Sequence, residues 1–252
     1  MATHPQPIFP GQLRVYRDPE QVAAAAAELF VDTAAESISA RERFRVVLSG
    51  GSTPRRAYQL LATEPFARRV DWEKVEFFWG DERYVPAADP DSNYRLAAET
   101  LLQRVPAPSF NIHRVPTEVS PPSAAAFAYE SSIRQSFGEA QSTPHFDLIF
   151  LGLGTNGHTA SLFPHSPALQ ETSHLVLADF VSEVNAWRIT MTAPLLNRGR
   201  TVAFLINGQK KADVFREVVL GPRDPQHLPA QLIAPQGHLL WLADQPAASR
   251  LR

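Results

Sequence analysis

Apolar residues in this chain gather into short unbroken runs separated by longer stretches with helical spacing. Phe44–Ser49, Val75–Trp79, Leu148–Leu151 and Thr201–Ile206 show almost no polar alternation. That pattern predicts strands covered on both faces, as in a parallel sheet. Helical spacing runs over Pro19–Ser39, which contains the Ala23–Ala27 run, and over Pro54–Ala62, Ser92–Gln103 and Ser123–Phe137. Shorter strands are expected at Leu13–Tyr16 and Ile112–Val115, and an amphipathic helix after the turn at Asn207 and Gly208. Strand and helix thus alternate, which predicts an α/β fold: a mainly parallel open sheet with helices on both faces, a three-layer sandwich. Leu175–Asp179, Trp187–Thr192 and Thr201–Ile206 read as successive strands with no helix between them. A small added sheet or antiparallel edge is therefore expected near residues 175–206, which disfavours a closed (β/α)8 barrel of similar length. A length of 252 residues and 44% hydrophobic content suit a single domain, 1–252, with one sizeable core. Met1–Pro10, Ser136–Pro144 and Gly221–Pro229, rich in Pro, Ser and polar residues, read as loosely held.

Polar chemistry concentrates where the strands end. Phe146–Pro164 (FDLIFLGLGTNGHTASLFP) passes from a buried strand into a turn containing Gly152, Gly154 and Gly157, then to His158 and an expected short helix. His158 therefore stands just past the carboxyl end of a parallel strand, where open α/β sheets bind ligands, and its imidazole titrates near neutrality as a general base requires. The alternative is a histidine that only caps the next helix or bonds a nearby carbonyl. After Phe44–Ser49, the residues Gly50, Gly51, Ser52 and Thr53 precede a helix expected to start at Pro54. Exposed N–H groups, two hydroxyls and the positive helix end make an anion cradle, unless the loop is only an N-capped turn. Neither the Gly-Lys-Ser/Thr of a nucleotide loop nor GxGxxG is present, which favours a smaller phosphorylated metabolite. After Val75–Trp79 come Gly80, Asp81, Glu82 and Arg83. Arg83 offers a planar fork for phosphate or carboxylate, and Asp81 can orient it or accept a sugar hydroxyl; Arg83 can equally pair with Asp81 or Glu82. Lys210 and Lys211, two of the chain's three lysines, stand where a helix begins. Positive charge there opposes the macrodipole unless an anion lies near, although a solvated face would look the same.

Four segments together resemble the 6-phosphogluconolactonase family in order and spacing over nearly the whole chain: SGGSTP at 49–54, GDERYVP at 80–86 with SN at 92–93, GLGTNGHTASLFP at 152–164, and RIT at 188–190 followed by GQKK at 208–211. The resemblance implies hydrolysis of 6-phospho-D-glucono-1,5-lactone to 6-phospho-D-gluconate, the second step of the oxidative pentose phosphate pathway, with no metal and no organic cofactor. It also implies the Rossmann-like α/β fold shared with sugar-phosphate isomerases and aminosugar-phosphate deaminases. By that resemblance the general base falls on His158, the phosphate loop on Gly50, Gly51, Ser52 and Thr53, and the sugar- and phosphate-binding cations on Arg83, Arg188 and Lys211. Asp81 and Asn156 complete the expected site.

Two departures stand out. Many relatives carry Asp where this chain has Asn156, and Asn lacks the charge that raises a histidine's proton affinity. Flanked by a glycine-rich turn, Asn156 is expected to be conformational, in the left-handed backbone such turns use, so that Asn156→Asp would change the rate only a few-fold. Val184–Trp187 departs too, from the proline-rich approach to the RIT strand seen in relatives. Two other functions stay open: an aminosugar-phosphate deaminase or isomerase, whose catalytic carboxylate would fall on Phe163, and a non-catalytic sugar-phosphate-binding protein.

Composition narrows the partners. A formal net charge of −2 gives no electrostatic footprint for nucleic acid. Without cysteine there is no disulfide framework, thiol nucleophile or Cys-based metal site, and the histidines show no HExxH spacing. No apolar run reaches the roughly 18 residues of a membrane span, and residues 1–11 do not read as a leader. The expected partner is a small sugar-phosphate lactone, met in the cytoplasm by a monomer or weak homodimer.

Overall fold

The computed structural model describes residues 9–138 and 144–251, and these contain nine strands and six helices. In chain order the described strands are Gln12–Tyr16 (β1), Phe44–Leu48 (β2), Val75–Trp79 (β3), Asp81–Arg83 (β4), Leu148–Leu151 (β5), Val176–Val181 (β6), Ala186–Met191 (β7), Thr201–Ile206 (β8) and His238–Asp244 (β9). The helices are Pro19–Arg41 (α1), Ser52–Leu61 (α2), Asn93–Ala97 (α3), Pro122–Phe137 (α4), Ala193–Leu196 (α5) and Ala212–Leu220 (α6). Six strands form one parallel sheet in the order β1-β9-β8-β5-β2-β3, and three form an antiparallel sheet, β4-β7-β6.

The pleat shows how helices cover both faces, because successive side chains of a strand point opposite ways. Phe77 stacks on Trp72, which meets Phe30 of α1, with ring centroids 6.4 and 5.8 Å apart. Phe78 instead meets Phe137 of α4 at 6.2 Å and Phe146 at 5.1 Å. Strand register carries the Phe78 face across to Phe204, which stacks on Trp241 at 4.3 Å, with Phe215 of α6 on that indole. Thus α1 lies on one face, and α4 and α6 on the other. All these rings are buried, each contributing about 1.5–3 kcal/mol of hydrophobic stabilisation. α1 begins where the Asp18 carboxylate accepts from the Gln21 N–H at 2.9 Å with Pro19 in the first position, and ends at Glu42 in the left-handed region.

The alternation expected from the sequence is present, with corrections. Thr201–Ile206 lies in the main sheet beside β5 and β9, while β6 and β7 build the added sheet with β4. Ile112–Val115 makes only a bridge from Ile112 to Phe77. β9 was not expected, although LLWLA is an apolar run, and β4 is too short and polar to stand out. α2 begins at Ser52, two residues before Pro54. Gly221–Pro229 is tied down, not loose: Gln231 Nε2 donates to the Pro222 carbonyl at 3.0 Å, the Asp224 N–H donates back to Gln231 Oε1, and the Gln226 carbonyl accepts from the His165 N–H. The loose segments expected at Met1–Pro10 and Ser136–Pro144 fall largely outside the described residues. No described helix is long and apolar enough to cross a membrane.

Two buried tyrosines fasten the helices to the strand ends. Tyr58 Oη of α2 accepts from the Ser49 N–H at 3.0 Å and donates to the Ser49 carbonyl at 2.9 Å. Tyr129 Oη of α4 does the same with Trp79, at 2.7 and 2.9 Å. Burial pushes both phenols above their ordinary range, so each stays neutral and both donates and accepts. Tyr58→Phe or Tyr129→Phe leaves a buried N–H and a buried carbonyl without a partner and should cost about 1–3 kcal/mol. Urea unfolding should show this as a lower midpoint at unchanged slope. An unchanged midpoint would contradict the role given to the hydroxyls.

Candidate active site

β2 leads outward to β3, whereas β5 leads the other way through β8 to β9, so the strand order reverses between β2 and β5. Loops diverge at such a reversal and leave a crevice at the carboxyl edge. A cavity of about 470 Å³ opens there. All ten residues singled out in the sequence line it: Gly50, Gly51, Ser52, Thr53, Asp81, Arg83, Asn156, His158, Arg188 and Lys211. Lys210 is exposed and does not.

The cations are held without an anion. Arg83 and Arg188 are register partners across β4 and β7, where like charges repel. Burial lowers the pKa of Arg188, and Arg83 beside it lowers it further. Lys211, half-buried at the start of α6, is lowered by burial alone. Arg83 donates to the Asp91 carbonyl and Arg188 weakly to that of Trp187, at 3.5 Å. Among the described residues none of the three makes a salt bridge, so the alternative pairing of Arg83 with Asp81 or Glu82 is ruled out. Gly51, which also lines the cavity, is the N-cap of α2, and no side chain caps that helix start. Thr53 is buried and its hydroxyl accepts from Asn207 Nδ2, while Ser52 is exposed.

Glu82 has a different task from the one its neighbours suggest. It is only 2% exposed. Its carboxylate accepts from the N–H groups of Arg83, Asn93 and Tyr94, each at 2.8 Å, and from Ser92 Oγ at 3.1 Å. Burial nevertheless raises its pKa. The carboxylate thereby closes the 81–94 loop onto the start of α3 and aims Asp81 into the cavity. Asp81 accepts from Ser161 Oγ at 2.7 Å and, weakly, from Asn93 Nδ2 at 3.4 Å. Asn93 and Ser161 were not assigned a role from sequence, though both belong to the quoted motifs.

His158 lies against backbone and ring. A Cβ on Gly154 would sit 2.1 Å from its Nδ1, so only glycine permits this approach. Phe163 stacks on it with centroids 4.2 Å apart and planes 17° from parallel. Asn156 Oδ1 lies 2.6 Å from His158 Nδ1, and Asn156 Nδ2 donates to both carboxylate oxygens of Glu183 at 2.9 and 2.8 Å. A carboxylate only accepts, so the amide nitrogen faces Glu183 and its oxygen faces the imidazole. Nδ1 therefore carries the proton and Nε2 the lone pair. Burial holds the His158 pKa below its ordinary value, opposed by the Asp81 charge. The backbone at Asn156 is not left-handed; that role falls on Gly157, with φ of 83°. Asn156 is thus a bridge between side chains, not a turn former. Nor does a helix follow His158: Thr159 Oγ1 donates back to the Gly152 carbonyl at 2.9 Å, and Thr159 and Leu162 close a short bridge. Glu183 is a site residue that sequence reading missed, since nothing local marks a contact made across 27 positions.

A sequence model of glucosamine-6-phosphate isomerases/6-phosphogluconolactonase matches residues 17–241. A 6-phosphogluconolactonase of Synechocystis sp. is 44% identical over 218 residues, covering 86% of this chain and 88% of that protein. The solved 6-phosphogluconolactonase from Trypanosoma cruzi superposes with a TM-score of 0.84 at 28% identity, over 98% of this chain and 99% of its own. A monomeric glucosamine-6-phosphate deaminase gives a TM-score of 0.81 over 95% of this chain, but at 18% identity that likeness extends to the fold alone. A model match over most of the chain, joined to this level of identity, means that the chain belongs to the glucosamine-6-phosphate isomerase/6-phosphogluconolactonase family.

Proposed function

We propose that this protein hydrolyses 6-phospho-D-glucono-1,5-lactone to 6-phospho-D-gluconate, with His158 as general base. The observation that carries this is one cavity lined by three cations that make no salt bridge among the described residues and by a histidine whose Nε2 has a free lone pair. A δ-lactone is an activated ester, so a positioned water, a base and charge stabilisation suffice. Nε2 takes a proton from the water as its oxygen attacks C1; the imidazolium then passes that proton to the departing ring oxygen. The phosphate, held by Arg83, Arg188, Lys211 and the Ser52–Thr53 loop, supplies binding energy that fixes C1 against His158. Asp81 is placed to accept a sugar hydroxyl. In the turn before His158, the Gly154 and Gly157 N–H groups already bond within the turn. The remaining N–H groups of that turn, those of Thr155 and Asn156 among them, are the candidate oxyanion donors.

Phe163 weighs against deaminase or isomerase chemistry. It occupies the position where the resemblance puts the carboxylate of those enzymes, and a phenyl ring moves no proton. We place the reaction in the cytoplasm, catalysed by a monomer or weak homodimer.

His158→Ala should lower lactone hydrolysis above the spontaneous rate by roughly two to four orders of magnitude without changing the melting temperature. A folded variant that keeps its rate sinks the base assignment, and ammonia release from glucosamine 6-phosphate by the wild type would favour the rival chemistry. Because the base works neutral and burial depresses its pKa, the acidic limb of kcat/KM should lie below 6.5, with activity lost as pH falls through it. A limb above 6.5 contradicts that environment.

The phosphate clamp makes two further outcomes measurable. Unphosphorylated gluconolactone should be turned over orders of magnitude less efficiently, since each charge-assisted bond contributes about 1.5–3 kcal/mol. Arg188→Met removes a repelled, partly desolvated cation, so the unliganded melting temperature should hold or rise while the rise induced by inorganic phosphate disappears. Equal efficiency on both lactones, or a phosphate response that survives in Arg188→Met, would show that the phosphate binds elsewhere.

A further inference from the structure

We infer that Glu183 is the positioning residue of the base: acting through Asn156, it holds His158 in the tautomer that leaves Nε2 unprotonated. This rests on His158 being the base. A carboxamide is nearly symmetric in shape, so its neighbours decide which end meets the imidazole: the His158 backbone N–H donates to Asn156 Oδ1 at 3.2 Å, and Glu183 engages the other end. Turned over, it would present N–H groups to Nδ1, draw the proton to Nε2 and abolish the base. Glu183 reinforces that choice from the amide nitrogen's side. Both of its oxygens accept from Asn156 Nδ2, and a flipped amide would set oxygen against oxygen.

The support for Glu183 is itself structural. It sits in the turn of the β6–β7 hairpin, between Ser182 and Asn185, whose left-handed backbone (φ 46°, ψ 46°) reverses the chain. Just behind the turn, Phe180 and Trp187 are register partners with rings 5.5 Å apart. The same hairpin carries Arg188, so one element delivers both a cation of the clamp and the residue that orients the base. The departure at Asn156 is thus met by the residue just before the other departing segment, 184–187, in the same hairpin.

Orientation outweighs charge here. His158 is faced by the anions Asp81 and Glu183 and by the cations Lys211 and Arg188, with Phe163 stacked on its ring. Glu183 is exposed, so its field at the imidazole is screened. An aspartate at position 156 would not reproduce the arrangement: its carboxylate would stand where the amide nitrogen now lies, 2.8–2.9 Å from the Glu183 oxygens. Like charges that close disfavour each other's ionised form and push the side chains apart.

The test compares Glu183→Ala, Glu183→Gln, Asn156→Asp and the double variant Asn156→Asp/Glu183→Gln with wild type and His158→Ala. Lactone hydrolysis is followed against pH, and the tautomer is read from the imidazole 15N chemical shifts. Glu183→Ala should lower kcat about ten- to a hundredfold with KM within about twofold, as expected when a base loses its fixed tautomer. Its 15N shifts should move toward the Nε2–H form, and its acidic limb slightly to lower pH, because an anion favouring imidazolium is gone. Glu183→Gln, whose carbonyl still accepts from the amide, should recover most of kcat. Asn156→Asp should lose about tenfold or more, and the double variant should regain it because Gln donates to the new carboxylate. A Glu183→Ala protein with wild-type kcat and 15N shifts overturns the inference, as does Asn156→Asp matching the double variant. A His158→Ala protein that keeps its rate is a separate failure, of the base assignment itself.

Discussion

Parallel strands that all end at one edge create a constraint on which this molecule depends: beyond the last ladder bond, the backbone there must find partners outside the sheet. The partners are side chains brought in from the flanking helices and loops. Tyr58 and Tyr129 hold the ends of β2 and β3 through a single hydroxyl each, and Glu82 gathers three N–H groups to shape the loop after β3. With those ends hydrogen-bonded in place, the strand-order reversal between β2 and β5 leaves a crevice at the carboxyl edge. Binding groups can then sit in loops and still be placed accurately.

Within that crevice the protein tolerates arrangements that would be unfavourable elsewhere. Arg83 stands opposite Arg188, Lys211 is half-buried, and among the described residues none of the three makes a salt bridge; the start of α2 has no side-chain cap. We propose that the phosphate of the substrate supplies the matching negative charge. The histidine is managed differently. Its ring is fixed by Phe163 and the Gly154 backbone, and its proton by Asn156, which leaves Nε2 as the one position free to react. We propose that the cations hold the phosphate while His158 Nε2 meets C1, which gives the bound substrate a direction in the cavity.

Much of this was legible in the sequence because the signals are local. Unbroken apolar runs marked the buried strands, and polar clusters at their ends marked the loops that line the cavity. Partner choice was not legible. Thr201–Ile206 reads the same whether it joins the main sheet or the small one, and β4 exists only because β7 lies beside it. Asn156 looked like a turn former because glycines surround it, yet the left-handed residue is Gly157, and the amide instead spans His158 and Glu183. Pairing of Arg83 with Asp81 or Glu82 was an open alternative to ligand binding. Burial and four hydrogen bonds to main chain and Ser92 commit the Glu82 carboxylate elsewhere.

The direction of the cavity is the central claim, and a crystal structure with bound 6-phospho-D-gluconate tests it most directly. The account predicts phosphate oxygens at charge-assisted distances, about 2.7–2.9 Å, from at least two of Arg83, Arg188 and Lys211, with the C1 carboxylate within about 2.6–3.2 Å of His158 Nε2. A ligand bound the other way round, with its phosphate at His158 and its carboxylate among the cations, would contradict it.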